Sequence, residues 1–315
     1  MIVIKTIDEA RGLIRQWKKE GLSIGLCPTM GYLHEGHLSL MRASKKENDR
    51  TVVSLFVNPM QFGPTEDLAK YPRDMERDCA LMEEVGVDMV FAPEPSEMYA
   101  EDFCSFVDMH VVSETLCGKS RPVMFRGVCT VLTKLINIIS PDRMYMGKKD
   151  AQQLAVVRRM VRDLNFDLDV VGIPTARESD GLAMSSRNSY LSPELRAAAA
   201  VLPKTLRHAQ EAVAAARENA TAEKPASASA AEGESCMGSA EIEFGNSAQL
   251  LGLIKSGLES EPLFKIDYVE VVDGLSMQPV EEYKEGDLVA IAVWAGDTRL
   301  IDNFTIGDPL IEIIA

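Results

Sequence analysis

Along the first half of the chain, short apolar runs rich in β-branched residues alternate with longer segments whose apolar positions recur every three or four residues. The runs Leu22 to Cys27, Thr51 to Val57, Asp88 to Phe91, Arg143 to Met146 and Leu168 to Ile173 read as strands. Between them, Gly36 to Lys46, Asp67 to Val85, Gly127 to Ile139 and Asp150 to Leu164 read as helices. In the last of these, Leu154, Val157, Met160, Val161 and Leu164 share a face, with Asp150 as the expected N-cap. Such alternation predicts an α/β fold built on a Rossmann-like, doubly wound parallel sheet.

The pattern changes after Asn188. Ser192-Pro193-Glu194 opens a long Ala-rich helix expected to reach about Glu218. Thr221 to Ala240 has no apolar period and holds six Ala, four Ser and two Gly, so a flexible surface insertion is expected there, extending to about residue 246. A helix near Ala248 to Leu258 and the alternating runs Phe264 to Val272, Asp287 to Trp294 and Thr298 to Thr305 predict a smaller α+β C-terminal domain. The expected division is residues 1–175 and 176–315, the second domain serving as a lid.

A length of 315 residues suits two domains. With 33 Lys and Arg against 48 Asp and Glu, the net charge of -15 argues against a large basic face, so nucleic acid is not an expected partner. Six cysteines without the close pairing of zinc or redox sites read as reduced residues of a cytoplasmic protein. No stretch reaches the roughly 18 apolar residues of a membrane span, and the start lacks a charged-then-apolar leader pattern, so no membrane partner is expected.

Four loops carry candidate chemistry. Pro28-Thr29-Met30-Gly31-Tyr32-Leu33-His34-Glu35-Gly36-His37-Leu38 places two of the chain's four histidines at a strand-to-helix turn, where a nucleotide's phosphates would dock. Three readings of His34 and His37 stand side by side: a phosphate site, a metal pair and structural histidines. The protease pattern H-E-x-x-H fails because position 38 is Leu. Gly147-Lys148-Lys149-Asp150 forms a second strand–glycine–helix transition, and two cations at a helix start call for a nearby anion. Asn58 and Gln61 end a third strand with uncharged hydrogen-bonding groups, and Met184-Ser185-Ser186-Arg187-Asn188 forms a donor-rich loop at the junction of the two halves.

His34-Glu35-Gly36-His37 resembles the HIGH signature, and Met184-Ser185-Ser186-Arg187 the KMSKS-type loop, of a nucleotidyltransferase superfamily that includes class I aminoacyl-tRNA synthetases. The longer strings PTMGYLHEGHLSL, FVNPMQFGPTEDLAKYPRD, MFRGVCTVLTKLINIISPDR, GKKDAQQLAVVRRMVRDLNF and SDGLAMSSRNSYL closely resemble the pantoate–β-alanine ligases, across nearly the whole chain except about 221–246. The resemblance implies condensation of D-pantoate with β-alanine, using ATP with Mg2+ and passing through a pantoyl adenylate, in a homodimer. It implies ATP contacts from Met30, Gly31, Tyr32, Leu33, His34, Glu35, Gly36 and His37, from Gly147, Lys148, Lys149 and Asp150, from the backbone of Ala176, and from Met184, Ser185, Ser186 and Arg187. Gln61 and Gln153 match the pantoate-binding glutamines, and Asn58 joins them as an expected substrate contact.

Pantoate's carboxylate is already nucleophilic at neutral pH, so attack on the α-phosphorus needs positioning and charge cancellation more than a base. His34, His37, Lys149 and Arg187 are therefore expected to stabilise charge, with His37 protonating or hydrogen-bonding the leaving group. Two positions depart from the family pattern: Lys148 stands where Glu is common, and Met124 precedes Phe125 where the commoner pattern has His.

Overall fold

Strand β2 (Ile24–Thr29) sits next to the point where the strand order of a parallel sheet reverses. In a computed structural model of the protein, which describes residues 1–64, 66–222 and 242–313, the chain divides into two units. The first comprises Met1–Ala176 and Met184–Ser186, the second Arg177–Ala183 and Arg187–Ala315. The chain thus crosses between units three times, after residues 176, 183 and 186.

In the first unit the order is β1 (Ile2–Ile4), α1 (Ile7–Lys19), β2, α2 (Glu35–Glu47), β3 (Arg50–Leu55), α3 (Met75–Val85) and β4 (Met89–Phe91). Two four-residue helices, α4 (Pro95–Met98) and α5 (Cys117–Ser120), precede α6 (Met124–Ile139), β5 (Arg143–Gly147), α7 (Ala151–Asp163) and β6 (Asp169–Ile173). The strands lie β1-β4-β3-β2-β5-β6, every pair parallel. Right-handed crossovers require helices on opposite faces when the winding direction changes. Accordingly α2 and α3 bury Leu38, Met41 and Met82 against Cys27, Val53, Val90 and Tyr145, while α1, α6 and α7 pack in series.

The β2–β5 ladder pairs only Gly25 with Arg143 and Leu26 with Met144, whereas β2–β3 continues to Thr29 and Leu55, and β5–β6 to Gly147 and Ile173. Pro28 explains the gap. Thr29 accepts from Phe56 on the β3 side, so by alternation the N–H that Pro28 lacks would face β5. The sheet therefore parts between β2 and β5 at its carboxyl edge, where open α/β sheets hold ligands.

The expected helix over Asp67 to Val85 is instead a short 3-10 turn, Asp67–Ala69, then α3 from Met75. Pro72 disfavours helix at Tyr71 and cannot donate, and Asp74 restarts the helix by capping Arg77 N–H at 3.1 Å. Strand β1, too short to show alternation, forms a sheet edge.

In the second unit, α8 (Pro193–Ala198) and α9 (Val201–Ala222) replace the single helix expected from Ser192, because Pro203 cannot supply a helical N–H and crowds the preceding turn. After α10 (Ser247–Glu259), the antiparallel strands β7 (Phe264–Val272), β8 (Leu288–Ala295) and β9 (Thr298–Thr305) lie in that order. Leu202, Leu206, Leu250 and Ile254 pack with Val289, Ile291, Val293 and Leu300 in its core. Arg177 grips the buried Asp302 carboxylate at 2.7 and 2.9 Å. The Ala/Ser-rich insertion falls mostly on residues 223–241, outside the described residues.

Candidate active site

Two loops leave the parted strands: Met30–Leu33 runs from β2 into α2, and Lys148–Asp150 from β5 into α7. Gly31 (φ +88°) and Tyr32 (φ +53°) are both left-handed. Glycine takes this conformation freely and tyrosine does not, so outside contacts hold Tyr32 in it. They come from α3. Both oxygens of the buried Asp78 carboxylate accept backbone N–H groups, Tyr32 at 2.7 Å and Leu33 at 2.8 Å. Arg77 donates to Leu33 O at 2.9 Å, its guanidinium 5.1 Å from the Tyr32 ring centre.

His34 is the N-cap of α2. Its Nδ1 accepts the Gly36 N–H at 3.2 Å, and His37 Nδ1 accepts the His34 N–H at 3.3 Å, a reciprocal cap of the kind Ser and Glu commonly make. Both acceptor roles require unprotonated Nδ1, so each neutral ring carries its proton on Nε2. The rings lie 4.1 Å apart. A methyl on Gly36 would come 2.9 Å from His34 Cε1, so glycine leaves room for the His34 ring to fold back over the turn. Burial, then His34 and Lys149, hold the His37 pKa well below 6.5. Glu35, on the exposed side of the turn, pairs with Arg42 through both carboxylate oxygens.

Lys149, mostly buried, lies 3.8 Å from the Asp150 carboxylate. Asp150 occupies the N-cap position of α7 but makes no side-chain capping bond. Of the adjacent glutamines, Gln152 is buried, accepting Cys117 N–H at 3.0 Å and donating to Val112 O and Thr115 O at 3.1 and 2.7 Å. Gln153 lies one helical step further round and is partly exposed.

After β3, the amide of Asn58 is saturated within the protein. Its Oδ1 accepts Met60 N–H and Tyr99 O–H, and its Nδ2 donates to Gly127 O and Gln61 Oε1. Gln61 in turn donates to Met30 Sδ at 2.7 Å, joining the β2 and β3 loops. Arg121 bonds Glu66 at 2.8 and 2.6 Å and donates to Gln61 O at 3.4 Å.

Ala176 and Met184–Ser186 complete the first unit's part. Met184 N–H donates to Ala176 O at 2.9 Å, and Ser186 Oγ to Tyr32 O at 3.2 Å. Thus Met30–His37, Asn58, Gln61, Lys149, Ala176 and Met184–Ser186 are brought together around one carboxyl edge. Arg187 belongs to the second unit, where its neighbour Asn188 donates to Glu178 Oε1 at 2.9 Å and Ala183 O at 3.2 Å. Sequence reasoning missed Arg77, Asp78, Tyr99 and Arg121. Asp78 looks like any acidic first-turn residue, and nothing local marks its partners.

The family model described as pantoate-beta-alanine ligase matches residues 2–305. A pantothenate synthetase of Clostridium acetobutylicum is 52% identical, covering 97% of this chain and 99% of its own. One from Ruminiclostridium cellulolyticum is 50% identical over 96% of this chain and 98% of its own. Among solved structures, pantothenate synthetase from Thermus thermophilus matches with TM-score 0.82 at 41% identity, covering 97% and 99% of the two chains. Pantoate-beta-alanine ligase from Francisella tularensis, complexed with beta-gamma ATP and beta-alanine, matches with TM-score 0.75 at 28% identity over 98% and 99%.

Proposed function

The chain belongs to the pantoate–β-alanine ligase family, and on that premise we propose that it joins D-pantoate to β-alanine at the parted edge of β2 and β5, through a pantoyl adenylate. The observation that carries the reading is the early end of the β2–β5 ladder, with His34, His37 and Lys149 on the two loops that leave it. The relative solved with a β,γ ATP compound and β-alanine supports ATP and β-alanine as ligands here.

In the first step a pantoate carboxylate oxygen bonds to the α-phosphorus of ATP, the α–β phosphoanhydride breaks, and pyrophosphate leaves with the electron pair. Negative charge grows on the phosphate oxygens, and preorganised donors are worth most there. His34 and His37 supply Nε2–H as neutral donors, since each Nδ1 is committed to a backbone N–H. The depressed pKa of His37 makes its imidazolium scarce, which favours hydrogen bonding over proton donation to the leaving group. Lys149 supplies a full positive charge. Ser185, Ser186 and Arg187, with the Ala176 backbone, complete the nucleotide's contacts as the family resemblance assigns them. Asp150, half exposed beside Lys149, is the carboxylate that would hold Mg2+ carried by ATP, an ion that would neutralise phosphate charge and needs only one or two protein carboxylates.

Gln61 and Gln153 bind pantoate; Asn58, expected as a substrate contact, has its amide taken up within the protein and instead holds Gln61 in place. In the second step the β-alanine amine attacks the acyl carbon, a C–N bond forms, and AMP leaves with the C–O electron pair. The amine's proton passes to the departing phosphate. We assign the protein to the cytoplasm as a homodimer; no described helix is long and apolar enough to cross a membrane. Pantoate-dependent ATP–pyrophosphate exchange tests the first step: exchange without β-alanine supports it, and exchange with another acid but not pantoate refutes it.

A further inference from the structure

Strand-to-helix turns that bind nucleotides ordinarily offer their backbone N–H groups to phosphate. Here the N–H groups of Tyr32 and Leu33 are taken by the protein itself, through an Asp78 carboxylate that is 1% exposed. The carboxylate sits in the turn as an internal anion. Leu33 is fully buried, and Arg77 holds its carbonyl at 2.9 Å, so both backbone polar groups of that residue are fixed from the first turn of α3. A methyl on Gly31 would come 3.1 Å from Asp78 Oδ2, which leaves little room on the other side. The next residue along the chain is His34, whose φ and ψ of -140° and 175° start the reciprocal histidine cap.

We propose that Asp78 is a positioning residue for adenylation: it occupies the Tyr32 and Leu33 amides, holds Tyr32 left-handed, and so sets His34 and His37 before any nucleotide arrives. Its kinetic consequence rests on the reading of this edge as the adenylation site. The phosphates are then left to the side chains of His34, His37 and Lys149, while the Tyr32 and Leu33 amides serve shape alone. Asp78 touches no reacting atom.

The test is Asp78→Asn, which keeps the side chain's size but replaces two acceptor oxygens with one. In the nucleotide-free protein, hydrogen exchange at the Tyr32 and Leu33 amides is expected to quicken about tenfold or more while the global unfolding midpoint stays above assay temperature. In pantoate-dependent exchange, KM for ATP is expected to rise and kcat to fall, together costing about tenfold to a hundredfold. Adding Tyr32→Gly to Asp78→Asn is expected to recover about threefold or more of that loss, because glycine accepts positive φ without the clamp. Unchanged amide protection and kinetics in folded Asp78→Asn overturn the proposal, as does a loss that Tyr32→Gly leaves untouched. If Asp78→Asn does not fold, Arg77→Met is read instead: a rise of about threefold in KM for ATP is expected, and none overturns it. If wild type itself shows no pantoate-dependent exchange, the functional reading fails, and amide protection still decides the clamp.

Discussion

His37 Nδ1 lies 3.3 Å from the backbone nitrogen of His34 and accepts its N–H, so the spacing of two histidines three residues apart is the spacing of a helix cap. The same bond fixes the chemistry of the ring. A histidine accepting at Nδ1 is neutral with its proton on Nε2, and the site's formal positive charge in the first unit then rests on lysine.

A pH dependence of stability follows from the burial of this ring. The folded pKa of His37 is well below 6.5, the unfolded value about 6.5, so below pH 6.5 the unfolded chain takes up a proton that the folded one refuses. Stability is therefore expected to fall as pH drops through that window, by at most about 1.4 kcal/mol per pH unit. Denaturant melts of wild type and His37→Gln between pH 5 and pH 7.5 check it; the variant should lose this part of the slope.

The kinetic counterpart concerns adenylation. With a neutral His37 as hydrogen-bond donor, the single-turnover rate should hold level or rise between pH 6 and 8, and His37→Gln should lower it throughout. A wild-type rate that falls as pH rises through 6.5 would instead mark an imidazolium acid.

Lys149 offers a charge test. Lys149→Met is expected to slow adenylation by about 10²- to 10³-fold, the range seen when one preorganised donor is removed. The NMR-measured pKa of His37 should rise, because Lys149 is one of the charges that depress it.

Gly127 lets α6 approach the Pro59–Gln61 turn, since a methyl there would fall 2.2 Å from Met60 O and 2.5 Å from Gln61 N. Gly127→Ala is expected to cost about 1–3 kcal/mol of stability. It should also raise KM for pantoate, through Gln61, more than KM for ATP, a split that steady-state kinetics resolves.

In the second unit, Asp302→Ala should leave the Arg177 guanidinium unpaired in a largely buried position. A loss of about 3–5 kcal/mol in a denaturant melt is expected, against near-wild-type stability for the exposed pair variant Arg207→Ala.

Much of this was legible in the chain. Five of the sheet's strands announce themselves as apolar runs, and Gly31 after β2 with Gly147 at the end of β5 marks the ligand edge. Three prolines set limits that apolar spacing does not show: Pro72 and Pro203 break helices that the spacing alone carries through, and Pro28 ends a ladder that composition alone would extend. Asp78 was invisible because its partners lie 45 and 46 residues earlier, and a carboxylate in a helix's first turn needs no further explanation locally. The H-x-x-H spacing suggested ligand chemistry and concealed a cap, since histidine seldom plays both parts of one.

The most direct test is pantoate-dependent ATP–pyrophosphate exchange by the purified wild-type chain without β-alanine. Label is expected to pass from pyrophosphate into ATP only when pantoate is present, with Lys149→Met reducing the rate by about 10²-fold or more. Pantothenate formation from pantoate, β-alanine and ATP with no such exchange would contradict an adenylate formed at this edge.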